Sequence, residues 1–137
     1  MQPKPGNRTF ETPLSLMWFN EDGIFCSITK KNAPLTKAAL RESFEFIRAN
    51  SGGNKVCWLG NVTNLSPPEK EARDYAAEET PKFIQALALI TNSTLSKFIA
   101  NVFLQLKKPP YPTRLFTNEE DALQWLRQFK NETAIAG

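Results

Sequence analysis

The chain contains no histidine among its 137 residues. That removes Ser–His–Asp and Cys–His catalysis, and with them most zinc sites. Only two cysteines occur, Cys26 and Cys57, and their spacing makes neither a metal knuckle nor a C-x-x-C redox pair. Both fall inside apolar, strand-like runs, where reduced and inert thiols belong. Glycine-rich phosphate loops are missing too. Gly52-Gly53 runs into a strand and reads as a helix stop. No apolar run approaches the roughly 20 residues of a membrane span. Residues 1–11 lack the apolar core of a signal peptide, so a cytoplasmic protein is expected. The net charge of +3 is small and the lysines are scattered, which speaks against nucleic acid. The carboxylates Glu69, Glu71, Asp74, Glu78 and Glu79 gather on one helix, where a solvated face accounts for them. No cofactor, no metal and no enzymatic activity are expected. A Ser93–Lys97 pair would rest on helical spacing alone, and capping explains Ser93.

What is present is a fold signal, strongest from Ala86 to Phe116. Ala86-Leu87-Ala88-Leu89-Ile90 is the all-apolar run of a strand buried on both faces. Thr91-Asn92-Ser93 offers helix caps. Leu95, Phe98, Ile99, Val102, Phe103 and Leu106 then recur at helical spacing, as a face expected to pack on the sheet. Pro109, Pro110 and Pro112 end the helix, and Thr113 to Phe116 reads as another strand. This is a βαβ unit, the building block of parallel sheets.

The rest of the chain fits around it. Residues 1–11 read as a flexible tail and 131–137 as another, with a single domain over 12–130. Pro13 to Phe19 and Ile24 to Thr29 form a hairpin through Asn20-Glu21-Asp22-Gly23. Thr36 caps a helix facing inward with Leu40, Phe44 and Ile47. Lys55 to Val62 is the next strand. Ser66-Pro67-Pro68-Glu69 has the form of a capping box opening a second helix, with Ala72, Tyr75 and Ala76 inward and a break at Thr80-Pro81. Thr117-Asn118-Glu119-Glu120 is a second such box, ahead of Ala122, Leu123, Trp125, Leu126 and Phe129. The expected fold is α/β, in the order ββαβαβαβα. It is a mixed, mostly parallel sheet with an N-terminal β-hairpin and helices on both faces.

In such a sheet the helix starts gather at the C-terminal ends of the strands, the edge where open α/β sheets bind ligands. The candidate edge comprises Asn61, Thr63, Asn64, Ser66, Thr91, Asn92, Ser93 and Thr117. The plain alternative is that Ser66, Ser93 and Thr117 only cap their helices.

Several stretches carry a resemblance. They are Met17-Trp18-Phe19-Asn20-Glu21-Asp22-Gly23-Ile24, Gly60-Asn61-Val62-Thr63, Glu71-Ala72-Arg73-Asp74-Tyr75 and Ala86 to Ser93. Lys108-Pro109-Pro110-Tyr111-Pro112-Thr113-Arg114-Leu115-Phe116 completes the set, with Glu120, Ala122, Trp125 and Leu126 after it. Over residues 14–129 the chain resembles the SpoIIAA-like STAS/SEC14 domains, in a Bacteroidetes branch of unknown function. The resemblance implies a SpoIIAA-like fold and a non-enzymatic regulatory or protein-interaction module. The alternative is a small-ligand or lipid-binding domain using the same edge or a cleft under the third helix. The resemblance also makes Ser66 the candidate phospho-acceptor, although the Asp-Ser-Ser-Gly-type motif of the phosphorylated relatives is absent. The expected partner is a protein, or a small anionic or lipid ligand. Leu104, Ala100 and Trp125 suggest a weak homodimer.

Overall fold

Every expected strand and helix occurs in the computed structural model of the protein, and one further strand precedes them. The structure describes residues 1–130 in full and 131–136 by their helical backbone. The tail expected over 131–137 therefore lies outside the fully described residues.

The strands are β1 (Thr9–Glu11), β2 (Ser15–Phe19), β3 (Phe25–Thr29), β4 (Val56–Asn61), β5 (Ile84–Ile90) and β6 (Thr113–Phe116). The helices are α1 (Lys37–Ser51), α2 (Lys70–Glu79), α3 (Thr94–Leu106) and α4 (Glu119–Ala136). The sheet runs β1-β2-β3-β4-β5-β6, antiparallel from β1 to β3 and parallel from β3 to β6. β1 lies within the segment expected as a loose tail. Its ladder with β2 satisfies an edge that a hairpin alone would leave open.

Local chemistry explains the boundaries. The side chain of Asn20 accepts from the N–H groups of Asp22 and Ile24, and Gly23 supplies the positive φ of 77° that closes the hairpin. Thr36 caps α1 by accepting from Ala39 N–H at 3.2 Å, and Gly52 ends it in the left-handed region. α2 stops at Glu79, before a 3-10 turn over Thr80–Lys82 that contains Pro81.

Two caps differ from the sequence reading. α2 starts at Lys70, with Glu69 as its N-cap and no side-chain capping bond, so Ser66 does not cap it. Ser66 and Pro67 each precede a proline, which pushes both out of the helical region and delays the start. At α4 the cap is Asn118, not Thr117: its side chain accepts from Asp121 N–H at 2.9 Å. Asn is at least as good a cap as Thr and stands one residue nearer the helix.

The strand order advances in one direction from β3 to β6, so right-handed crossovers put α1, α2 and α3 on the same face. α4 covers the other. On the α4 face, Trp18, Ile24, Cys26, Cys57, Leu59, Ala86, Ala88, Ile90, Ala122 and Leu126 form one buried core. On the three-helix face, Met17, Phe25, Leu40, Phe44, Ile47, Val56, Ala72, Ile84 and Leu87 form another.

α3 departs most from expectation. Its buried residues are Ser96, Ile99 and Ala100. Leu95, Phe98, Val102 and Leu106 are 67%, 66%, 39% and 59% exposed. The helix is turned about its axis by roughly a quarter-turn from the expected face, at about 3.6 residues per turn. The reason is that α3 is apolar around most of its circumference, so its spacing pattern does not single out one side. Ser96 fixes the rotation actually adopted, because its hydroxyl donates to the carbonyl of Val62 in the loop after β4. Ala100 and Leu104, which had suggested a dimer surface, turn inward and line a cavity, while Trp125 packs on Phe116 and Phe129.

Candidate functional site

The three-helix face of the sheet carries small residues where large aliphatic ones would fill the core. Ser15 stands opposite Thr29 between β2 and β3. Ser27 stands opposite Gly60 between β3 and β4. Gly60 leaves little spare room there. A Cβ on it would lie 3.3 Å from the Trp58 indole nitrogen and 3.5 Å from both the Ser27 hydroxyl and a Leu89 methyl. The Trp58 indole N–H donates to Ser27 Oγ at 2.9 Å, which ties the ring to the neighbouring strand.

Above this shallow floor α3 bridges rather than fills. Ala100, Phe103 and Leu104 form a roof, Leu35, Leu40, Ala76 and Ala77 supply walls from the α1 and α2 side, and a cavity of about 240 Å³ remains between them. An apolar cavity of about 150 Å³ is already enough to take up a benzene-sized molecule. The polar groups on its surface are few: Ser15, Ser27, Thr29, Ser43 and Thr80, all buried, and Tyr111. Burial pushes the Tyr111 phenol up to about 12, against a smaller downward pull from its hydrogen bond with Thr80. At the opening stand Lys107 and Lys108, both exposed. Lys107 pairs with Asp74 of α2 at 3.3 Å. Hydrogen bonds from Lys70 and then Lys107 hold the Asp74 carboxyl below the usual carboxylate range.

The candidate edge is real as a place, and its groups are largely spent on one another. Asn61 accepts from Thr63 N–H at 3.1 Å. Thr63 Oγ1 accepts from Asn92 N–H at 3.2 Å and so ties the loop after β4 to the loop after β5. Thr91 Oγ1 accepts from Ser93 N–H, and Ser93 caps α3 by accepting from Ser96 N–H at 3.2 Å. Asn64 reaches back to the carbonyl of Thr29 at 3.5 Å. Ser66 and Thr117 stand outside these capping bonds. The structure thus brings Asn61, Thr63, Thr91, Asn92 and Ser93 together, while Thr117 opens the separate start of α4. The edge and the cavity share one loop, since Val62 and Leu65 line the cavity.

The resemblance implied a cleft under the third helix as one alternative, but the residues that line this cavity were not named in the sequence reading. Their only local signal is the alternation in β3 and β4, where Ser27 and Gly60 interrupt an otherwise bulky inward row. Cys26 and Cys57 lie on the opposite face, free and buried. Burial raises their thiols to about 12 and about 11.

This architecture is the SpoIIAA-like fold. A crystal structure of an uncharacterised DUF3478-family protein from Shewanella loihica PV-4, described as having that fold, matches with a TM-score of 0.57. The match covers 92% of this chain and 98% of that one, at 16% identity, so the likeness is one of fold. Residues 17–130 match the family model of DUF7793, a domain of unknown function, and the chain belongs to that family. No curated protein matches it. Among the described residues no helix is long and apolar enough to cross a membrane.

Proposed function

We propose that the domain is a non-enzymatic binding module of the STAS type, and that it takes a small, mostly apolar molecule between its sheet and α3. The observation that supports this reading is the cavity itself. It is large for an accidental packing defect, since well-packed interiors leave few voids bigger than a water molecule. It is walled by aliphatic and aromatic side chains, with a short row of hydroxyls on one side and two lysines at the opening. Ligand sites have this composition, a mostly apolar lining with a few placed polar groups. The titratable side chains on the lining are Lys107, Lys108 and Tyr111. A phenol held up to about 12 stays protonated at neutral pH and serves as a hydrogen-bond donor, not a base. The groups present can orient a guest and meet an anionic end at the mouth.

Native mass spectrometry of freshly purified protein, paired with uptake of a fluorescent apolar probe such as anilinonaphthalene sulfonate, tests the reading. Ala100→Leu adds volume at the roof of the cavity. This variant should melt as the parent does, or higher, and lose probe uptake. If it takes up the probe as well as the parent, the cavity is not the binding site.

A further inference from the structure

The exposed apolar row on α3 and the charge around it point to a second surface. Leu95, Phe98, Val102 and Leu106 stand at i, i+3, i+7 and i+11 and share the solvent side of the helix. A helix of 13 residues is about 20 Å long, so the row runs nearly its whole length. Four large apolar side chains in one line exceed the single exposed residues normal for a surface.

The charge around the row is one-sided. From Thr80 to Asn118 the sequence carries Lys82, Lys97, Lys107, Lys108 and Arg114 and no carboxylate. The other 98 residues hold twelve lysines and arginines against fourteen aspartates and glutamates. Lys97 lies on α3 itself, and Lys107 and Lys108 follow its last turn. Among the described residues Lys97 and Lys108 have no ion-pair partner, while Lys107 is held by Asp74.

We infer that α3 lies on an anionic lipid surface, with Leu95, Phe98, Val102 and Leu106 buried in the interface and Lys97 and Lys108 against the headgroups. The charge decides between candidate occupants. A second copy pairing through the same row would set Lys97 of one helix near Lys107 and Lys108 of the other. No carboxylate on either helix would relieve that repulsion. A partner helix is normally selected by mixed charges flanking the seam, whereas the positions flanking this row are Thr94, Asn101 and Gln105. An apolar row with neutral polar residues beside it, on a helix whose only charges are cations, is the pattern of a helix that lies in a membrane interface. The cavity opens beside Lys107 and Lys108, on the end of the helix that would face the lipid, but the inference stands without any guest in it.

Co-sedimentation with vesicles of phosphatidylcholine alone, and of phosphatidylcholine with phosphatidylglycerol in equal parts, tests it at low and high salt. The full chain should pellet with the mixed vesicles at low salt and be largely released by high salt. The double variant L95Q/F98Q should weaken partition by at least about tenfold, since each side chain forfeits buried apolar area. Lys97→Gln and Lys108→Gln should each weaken it about fivefold, on mixed vesicles only. All these positions are exposed, so unchanged circular dichroism confirms the fold. The cavity variant Ala100→Leu should sediment like the parent, which keeps this result separate from ligand uptake. Three outcomes overturn the inference: no pelleting with either vesicle, equal pelleting of parent and L95Q/F98Q, or a dimer in sedimentation equilibrium that the double variant abolishes.

Discussion

The two faces of one sheet are built for different ends. On the α4 face the strands present Ala86 and Ala88, and the helix answers with Ala122, so the backbones approach closely and Leu126 is wholly buried. Cys57 points its thiol at the carbonyl of Leu126 at 3.8 Å, and Gln85 donates to the carbonyl of Phe129 at 2.8 Å. On the three-helix face, small residues have the opposite effect. Ser27 and Gly60 sit below a helix held off the sheet, and the volume they vacate stays open. Small side chains alone do not decide whether a layer closes or opens. What matters is whether the covering helix is free to settle. α4 is free to settle on its alanines. α3 is suspended at its start by the Ser93 cap and by the Ser96 bond to the Val62 carbonyl, and at its end by the proline-rich strap from Pro109 to Pro112.

The contrast can be broken most severely at Leu126. Truncating a fully buried leucine in a closed layer typically costs about 2–5 kcal/mol. Leu126→Ala should therefore lower the urea midpoint sharply. A loss of less than about 1 kcal/mol would mean that the α4 face is no tighter than the other.

Alkaline titration sharpens the comparison next, because the buried acids are divided between the faces. Cys26 and Cys57 lie under α4 and Tyr111 beside the cavity. All three are neutral when protonated, and burial raises the two thiols from 9.0 to about 12 and about 11 and the phenol from 10.0 to about 12. The folded state thus holds these protons more tightly than the unfolded chain. Their contribution to stability is complete below about pH 9 and is lost as the pH rises toward 12. Melting midpoints measured across that range should fall. Tyr111→Phe should soften the upper part of the fall and leave its onset, which belongs to the thiols, in place. A profile flat to pH 12 would show that the thiols and the phenol are solvated.

The smallest effect is expected at Phe98. Its ring is 66% exposed on the outer side of α3, so Phe98→Ala should shift stability by no more than about 0.5 kcal/mol. A loss comparable to that of Leu126→Ala would place α3 against the sheet after all.

The sequence disclosed most of the frame because strands and caps are local. The Asp-Gly turn, the Thr36 cap, the Thr80-Pro81 break and the all-apolar β5 each depend on a few adjacent residues. So does the family resemblance, which rests on contiguous runs. The errors arose where a non-local competitor decided. Two successive prolines overrode the capping box at Ser66. Asn118 displaced Thr117 by one position. β1 was hidden because an edge strand of three exposed residues has no apolar alternation to show. α3 was turned the wrong way because a helix apolar on most sides takes its rotation from tertiary bonds such as Ser96 to Val62. The lining of the cavity follows from that rotation, so the linear pattern did not show it, and the cleft under the third helix entered only through the resemblance.

The placement of Trp58 has an optical consequence. Of the three indoles, Trp18 and Trp125 belong to the α4 layer, and Trp58 alone lines the cavity. Its N–H is already engaged by Ser27, so the excited-state dipole starts in a fixed orientation. A guest entering beneath α3 changes the dielectric around this one emitter and leaves the other two, on the far side of the sheet, in unchanged surroundings. The protein therefore carries an intrinsic, label-free reporter of occupancy, whose spectral shift and quenching by acrylamide can be followed in the unmodified chain.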